Sequence, residues 1–282
     1  MVHAYRRDNG SSRNRQFWIG IARAFGGAII FSLPLLMTME MWYLGFYMSR
    51  LKLALFMVVF LPLLIALSYH SGFEPNVRWK HVILDAFSAY AVGFVASGCI
   101  LLLFGVLSVG MAADEWIGKI ALQAVSASIG ASLARSELGA VDNDAPPRDD
   151  SRRGYLAEMI LMSAGAVFLA FNVAPTDEMV LIAYMMTLWH TLVLALLSLV
   201  AMQGFVYTVQ FRGQEKVPEG VPNWSVFCRY TVPGYAMALL ISTYILWTFG
   251  RTDGLAFSQL VTTVLVLGFP AAVGAAAARL IL

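Results

Sequence analysis

The sequence predicts an all-α membrane protein of eight transmembrane helices, arranged as two parallel four-helix repeats. Three observations carry that expectation. Hydrophobic residues fill 59% of the 282 positions and charged residues only 13%, with mean hydropathy +0.72. Soluble chains carry about 25% charged residues. Apolar runs recur at the length a bilayer needs, about 20 residues each. The chain also repeats itself. A shift of 138 positions lays Gly27, Ala28, Thr38, Glu40 and Met41 on Gly165, Ala166, Thr176, Glu178 and Met179 without a gap.

In chain order, residues 1–16 are polar and carry Arg6, Arg7, Arg13 and Arg15. The apolar run that follows is too long for a signal peptide core, and no small-residue cleavage site follows it. The expectation is an unstructured basic tail ahead of a retained span. Apolar runs then occupy Phe17–Met37, Met41–Tyr69, Val82–Leu107 and Trp116–Leu133. The hydrophilic stretch 136–153, with Asp142, Asp144, Pro146, Pro147, Asp149 and Asp150, reads as an exposed linker. Four more runs follow at Tyr155–Ala174, Met179–Tyr207, Trp224–Gly250 and Phe257–Leu280. The first repeat is therefore expected over 17–135 and the second over 154–282. Pro34, Pro62, Pro233 and Pro270 are expected to kink or end spans.

The match continues beyond its opening block. At the same shift Tyr69 meets Tyr207 and Phe73 meets Phe211. At a shift of 145, Tyr90-Ala91 meets Tyr235-Ala236 and Phe104-Gly105 meets Phe249-Gly250. At 144, Gly130-Ala131 meets Gly274-Ala275 and Ala134-Arg135 meets Ala278-Arg279. Units of four spans placed in tandem must point the same way, so the repeat is of the parallel kind.

Orientation follows from the basic residues. With the N-terminus inside, fifteen of the 19 Lys and Arg fall on inner segments, which leaves Arg50, Lys52, Lys119 and Arg251. The positive-inside rule then makes both termini cytoplasmic. The outer turns are acidic: Asp114-Glu115, Asp177-Glu178 and Asp253. A net charge of +2 gives no footing for nucleic acid. Cys99 and Cys228 lie in or beside apolar runs and read as buried thiols.

The stretch Leu33-Pro34-Leu35-Leu36-Met37-Thr38-Met39-Glu40-Met41-Trp42 resembles a family of uncharacterised bacterial integral membrane proteins with a Thr-Met-Glu-Met-Trp signature. The resemblance extends over most of the chain. It implies a bacterial inner-membrane location and brings no activity, cofactor or site residue with it.

Four residues make the candidate ion-binding set: Glu40 and Glu178, each after a threonine, Thr38 and Thr176. Acids at the edge of an apolar span suggest a cation path. The plainer reading is a threonine N-cap followed by an acidic first turn that complements the helix dipole. Lys52 aligns with His190, and both are candidate interior ionisable groups. Plain hydropathy puts Lys52 in a loop. The ungapped match instead starts its span near Met41 and carries both residues about 17 Å down at 1.5 Å per residue. Asn172 and Gln203 are expected to bond between helices. No phosphate loop, catalytic triad word or metal-ligand cluster occurs, so neither an enzyme, a metal nor a cofactor is expected. The functional expectation is a small-ion channel or transporter (cation or proton) with its path near the repeat interface. The alternative is a non-transporting scaffold or sensor. The bilayer is the expected partner, a small inorganic ion a further one, and a homo-oligomer is left open.

Overall fold

The computed structural model describes residues 5–71, 79–139, 155–208 and 223–281. Most of the expected linker and the match of Phe73 to Phe211 lie outside them. The described residues form α1 (Tyr5–Leu36), α2 (Met39–Tyr47), α3 (Arg50–Ser71), α4 (Trp79–Leu103), α5 (Ala113–Gly139), α6 (Tyr155–Val173), α7 (Asp177–Met185), α8 (Leu188–Thr208), α9 (Asn223–Val226), α10 (Val232–Thr248) and α11 (Phe257–Ile281). A π-helical turn, Phe227–Thr231, joins α9 to α10. Among the described residues, eight helical stretches are long and apolar enough to cross a membrane. Among the described residues there is no strand.

Three elements differ from the sequence expectation. The basic segment expected to be unstructured is helical from Tyr5 onward, continuous with the first span. A formed span already supplies the costly helix nucleus, so propagation into polar sequence is cheap per residue. Second, the runs starting at Met41 and Met179 are each broken into a nine-residue helix and a long one. Met48 and Met186 take extended backbone, with ψ 130° and 137°. Ser49 and Thr187 follow, residue types that favour N-caps over helix interiors. The Ser49 hydroxyl accepts from the Lys52 N–H at 3.3 Å. Third, Cys99 and Cys228 are exposed free thiols rather than buried ones. Each sits on an outward helix face, where apolar surroundings would have to come from lipid.

The chain forms two compact units. One comprises Met1–Met37 and Phe60–Ala145; the other comprises Thr38–Val59 and Pro146–Leu282. In the first unit α5 packs against both α1 and α4. The reason is residue size. A Cβ on Gly27 would strike the Ala134 methyl and come to 2.5 Å from the Gly130 carbonyl oxygen. A Cβ on Gly93 would lie 2.7 Å from the Ala124 oxygen. Ala24, Ala28, Ala89, Ala96, Ala127 and Ala131 fill the rest of that core. Small residues let backbones approach where lipid offers no hydrophobic drive to associate.

The second unit is centred on α11, against which α6, α7, α8 and α10 pack. Gly165 and Gly274 cross here as Gly27 and Gly130 do in the first unit. Phe56, Phe171 and Phe249 form one aromatic cluster, with centroids 5.4, 6.0 and 6.2 Å apart. Many hydroxyls settle on their own helix. Ser32, Ser163, Ser198 and Ser242 each donate to the carbonyl four residues back, at 2.7–2.8 Å. That satisfies the hydroxyl without water.

The ends of α4 and α10 are built alike. Gly105 and Gly250 both have φ +72°. Val106 N–H donates to Leu101 at 3.0 Å, and Arg251 N–H donates to Leu246 at 2.9 Å. These are Schellman closures, in which the left-handed residue lets the chain turn back on the last carbonyls. Gly250→Ala should therefore cost about 1–2 kcal/mol, the strain of a left-handed L-residue. Gly110, with no positive φ and open space around it, should accept alanine without loss. Thermal melting in detergent checks the pair; equal melting of both variants would contradict the strain argument.

Candidate functional site

The expected ion-binding residues all belong to the second unit. Thr38 and Thr176 hold the N-cap positions of α2 and α7 in extended conformation. Neither hydroxyl caps its helix, and that of Thr176 donates to the Val173 carbonyl at 2.9 Å. Glu40 and Glu178 are each the second residue of their helix, where a carboxylate complements the dipole. Glu178 is exposed and Glu40 half-buried. Among the described residues no group of three or more His, Cys, Asp or Glu could hold a metal ion.

Lys52 and His190 sit at the starts of α3 and α8, each the third residue, because of the helix breaks above. Lys52 Nζ donates to the Trp247 carbonyl at 3.3 Å and lies 5.3 Å from the centre of that indole ring. Asp253 Oδ2 is 3.9 Å away. An ammonium at the end of α10 is matched to the negative end of the helix dipole. The His190 Nδ1 lies 2.8 Å from the Thr187 hydroxyl and accepts from the Thr187 N–H at 3.3 Å. The bond from the Thr187 N–H is one half of a capping box, with histidine in the usual place of Glu or Gln. Nearby, Arg251 pairs with Asp177 at 2.9 Å and also donates to the Pro175 carbonyl. Gln203 accepts from Thr231 on the π-helical turn, as expected of an interhelical amide. Asn172 instead donates to Phe168 on its own helix.

The arrangement that stands apart is in the first unit, on α5, the most buried of the eight spans. Glu115, Lys119 and Gln123 are spaced four apart and so share one stripe of the helix. Further along that stripe, Ser126 donates to the Phe31 carbonyl at 3.3 Å and Gly130 abuts Gly27. At Ser126 and Gly130 the stripe therefore faces α1. Lys119 Nζ lies 2.6 Å from Glu115 Oε1 and 3.6 Å from Met111 Sδ. Lys119 is only 8% exposed. An unpaired charge there would cost at least about 2.5 kcal/mol, so the carboxylate is its condition for being buried. Gln123 is fully buried, and neither its amide nitrogen nor its oxygen has a hydrogen-bond partner. At 1.5 Å per residue it stands about 15 Å into the span, half of a ~30 Å hydrocarbon core.

The corresponding stripe of α11 differs. A shift of 144 sets Gln259, Thr263 and Leu267 where α5 has Glu115, Lys119 and Gln123. Thr263 satisfies itself on the Gln259 carbonyl at 2.8 Å, and Leu267 is fully buried. One of two similar crossings is thus charged and polar, and the other neutral. The sequence reading passed over the α5 stripe because Glu115 was grouped with an outer acidic turn. The four-residue spacing to Lys119 and Gln123 was the available signal.

Residues 20–282 match the profile of the family described as "Putative integral membrane protein (DUF2391)". The chain belongs to that family. The match covers all but the first three residues of the first candidate span and all of the other seven. Comparison with curated proteins and with solved structures yields no match. As a DUF2391 member the chain is an integral, multi-pass membrane protein, and its chemistry has to be argued from its side chains.

Proposed function

We propose that this DUF2391 protein moves a small ion, a proton or monovalent cation, across the bacterial inner membrane, along the α1-facing stripe of α5. The observation that carries this is Gln123, fully buried near mid-span with an unpaired amide, below the Lys119–Glu115 pair. Intramembrane ionisable groups are costly and commonly mark ion pathways. The stripe lies within one unit, so the proposed path runs there and not along the repeat interface. On the positive-inside orientation both termini are cytoplasmic, and Glu115, Glu40 and Glu178 face the outer side. We read the two halves as copies of a four-span unit; the paired nine-residue helices, Phe-Gly ends and Gly–Gly crossings support that. Nothing in this reading calls for catalysis or a cofactor.

The test is ion flux in proteoliposomes. Wild type should dissipate a gradient, and Gln123→Leu should lower the rate at least tenfold. Wild-type protein that passes no ion would sink the transport reading in favour of a non-transporting scaffold or sensor.

A further inference from the structure

We infer that Arg229 holds the phosphate of an anionic phospholipid, at the end of the second unit where α10 begins. The inference uses none of the residues of the transport reading and stands apart from it. Arg229 is the third residue of the candidate span Phe227–Thr248, so its Cα lies about 3 Å past the edge of the apolar stretch. It is exposed, and on a spanning helix an exposed surface meets lipid. Its guanidinium carbon stands 5.7 Å from the centre of the Tyr155 ring and 6.0 Å from that of Tyr230. The two rings lie 5.5 Å apart, so they frame the cation from α6 and from its own turn. Their π faces attract the charge but give its N–H groups no oxygen to bond. Among the described residues no carboxylate pairs with Arg229 and no oxygen accepts from it. Lys52, Lys119 and Arg251, by contrast, each have an acid within 3.9 Å.

The local backbone has a cause in the sequence. Pro233 has no N–H to give the Arg229 carbonyl four residues back, and the helix widens there into the π turn Phe227–Thr231. At a shift of 145, α4 has Ser88 and Leu84 in these two places. The Ser88 hydroxyl donates to the Leu84 carbonyl at 2.7 Å, and α4 stays α-helical throughout. Leu84 is exposed, as suits a side chain among acyl tails, whereas its counterpart Arg229 is a base. A guanidinium on a lipid-facing surface takes its counter-charge from the bilayer, and the charge within its reach is the headgroup phosphate. Its planar fork matches two phosphate oxygens at once. Trp224, exposed and stacked on Phe227 at 6.0 Å, is the residue type that settles at headgroup depth. A zwitterionic headgroup brings its own ammonium to the phosphate, so a net-anionic headgroup is the better match for an arginine.

The experiment titrates the purified full chain in detergent with phosphatidylglycerol, phosphatidylcholine or inorganic phosphate, and counts bound molecules by native mass spectrometry. Phosphatidylglycerol should bind about fivefold more tightly than phosphatidylcholine, or better, and millimolar phosphate should not displace it. Arg229→Leu copies the side chain that α4 accommodates at this place, so it should melt close to wild type. Its affinity for phosphatidylglycerol should fall to that for phosphatidylcholine. Lys80→Gln removes an exposed base at the start of α4 and should change the affinity by less than about twofold. Equal binding of the two lipids by wild type, a result that needs no variant, overturns the assignment. An undiminished preference in Arg229→Leu overturns it as well. An equal loss in Lys80→Gln overturns it by showing diffuse charge attraction in place of a site. Displacement by millimolar phosphate overturns the lipid in favour of a soluble anion.

Discussion

Gly165→Leu is expected to prevent the second unit from assembling. A Cβ at this position would run into the Gly274 carbonyl oxygen, 2.9 Å from its carbon, and sit 2.5 Å from the Ala278 methyl. The first obstacle is backbone, so no side-chain rotation relieves it. Overpacking by a methylene or two commonly costs about 1–3 kcal/mol. A whole leucine against a helix backbone exceeds that range, because α6 must leave α11 altogether. Gly26, which has nothing within 4 Å of an added Cβ, supplies the contrast. Gly26→Ala should stabilise α1 by up to about 1 kcal/mol through helix propensity. Monodisperse yield and melting temperature in detergent read both effects. A Gly165→Leu protein that melts like wild type would mean that α6 and α11 do not cross at this point.

Phe56→Ala is expected to loosen the start of α3 from α6 and from the end of α10. Phe56 is fully buried between Phe171 of α6 and Phe249 at the end of α10. In water-soluble proteins a buried Phe→Ala costs about 3–5 kcal/mol. Within a bilayer the transfer part falls away, since lipid tails are as apolar as leucine. The lost dispersion contacts and the cavity remain, so about 2–3 kcal/mol is expected. Leu103, 78% exposed at the end of α4, should accept alanine at little cost. Equal melting of the two variants would show that the three phenylalanines do not share one packed cluster.

Much of the architecture was legible in the chain. Composition and run length depend only on local sequence, so the membrane setting and the eight spans could be read directly. The Phe-Gly words at 104–105 and 249–250 likewise mark two helix ends of one construction. The helix breaks were less visible, because apolar sequence continues through Met48 and Met186 while Ser49 and Thr187 supply only a short polar cue. Treating those runs as single helices displaced Lys52 and His190 toward mid-span. For the same reason Glu115 was read as part of a turn and not as the head of a stripe.

The sequence by itself determined the solvent of this protein, the number of its spans and the residue types available to each. Only the tertiary structure decided which side of α5 is enclosed, because an (i, i+4) stripe is the same word whether it meets lipid or a neighbouring helix. It also decided that Lys52 closes the end of a helix 195 residues away. Such partners depend on how helix faces are shared out in three dimensions, and that is settled by the close approach of glycines and alanines, not by hydropathy.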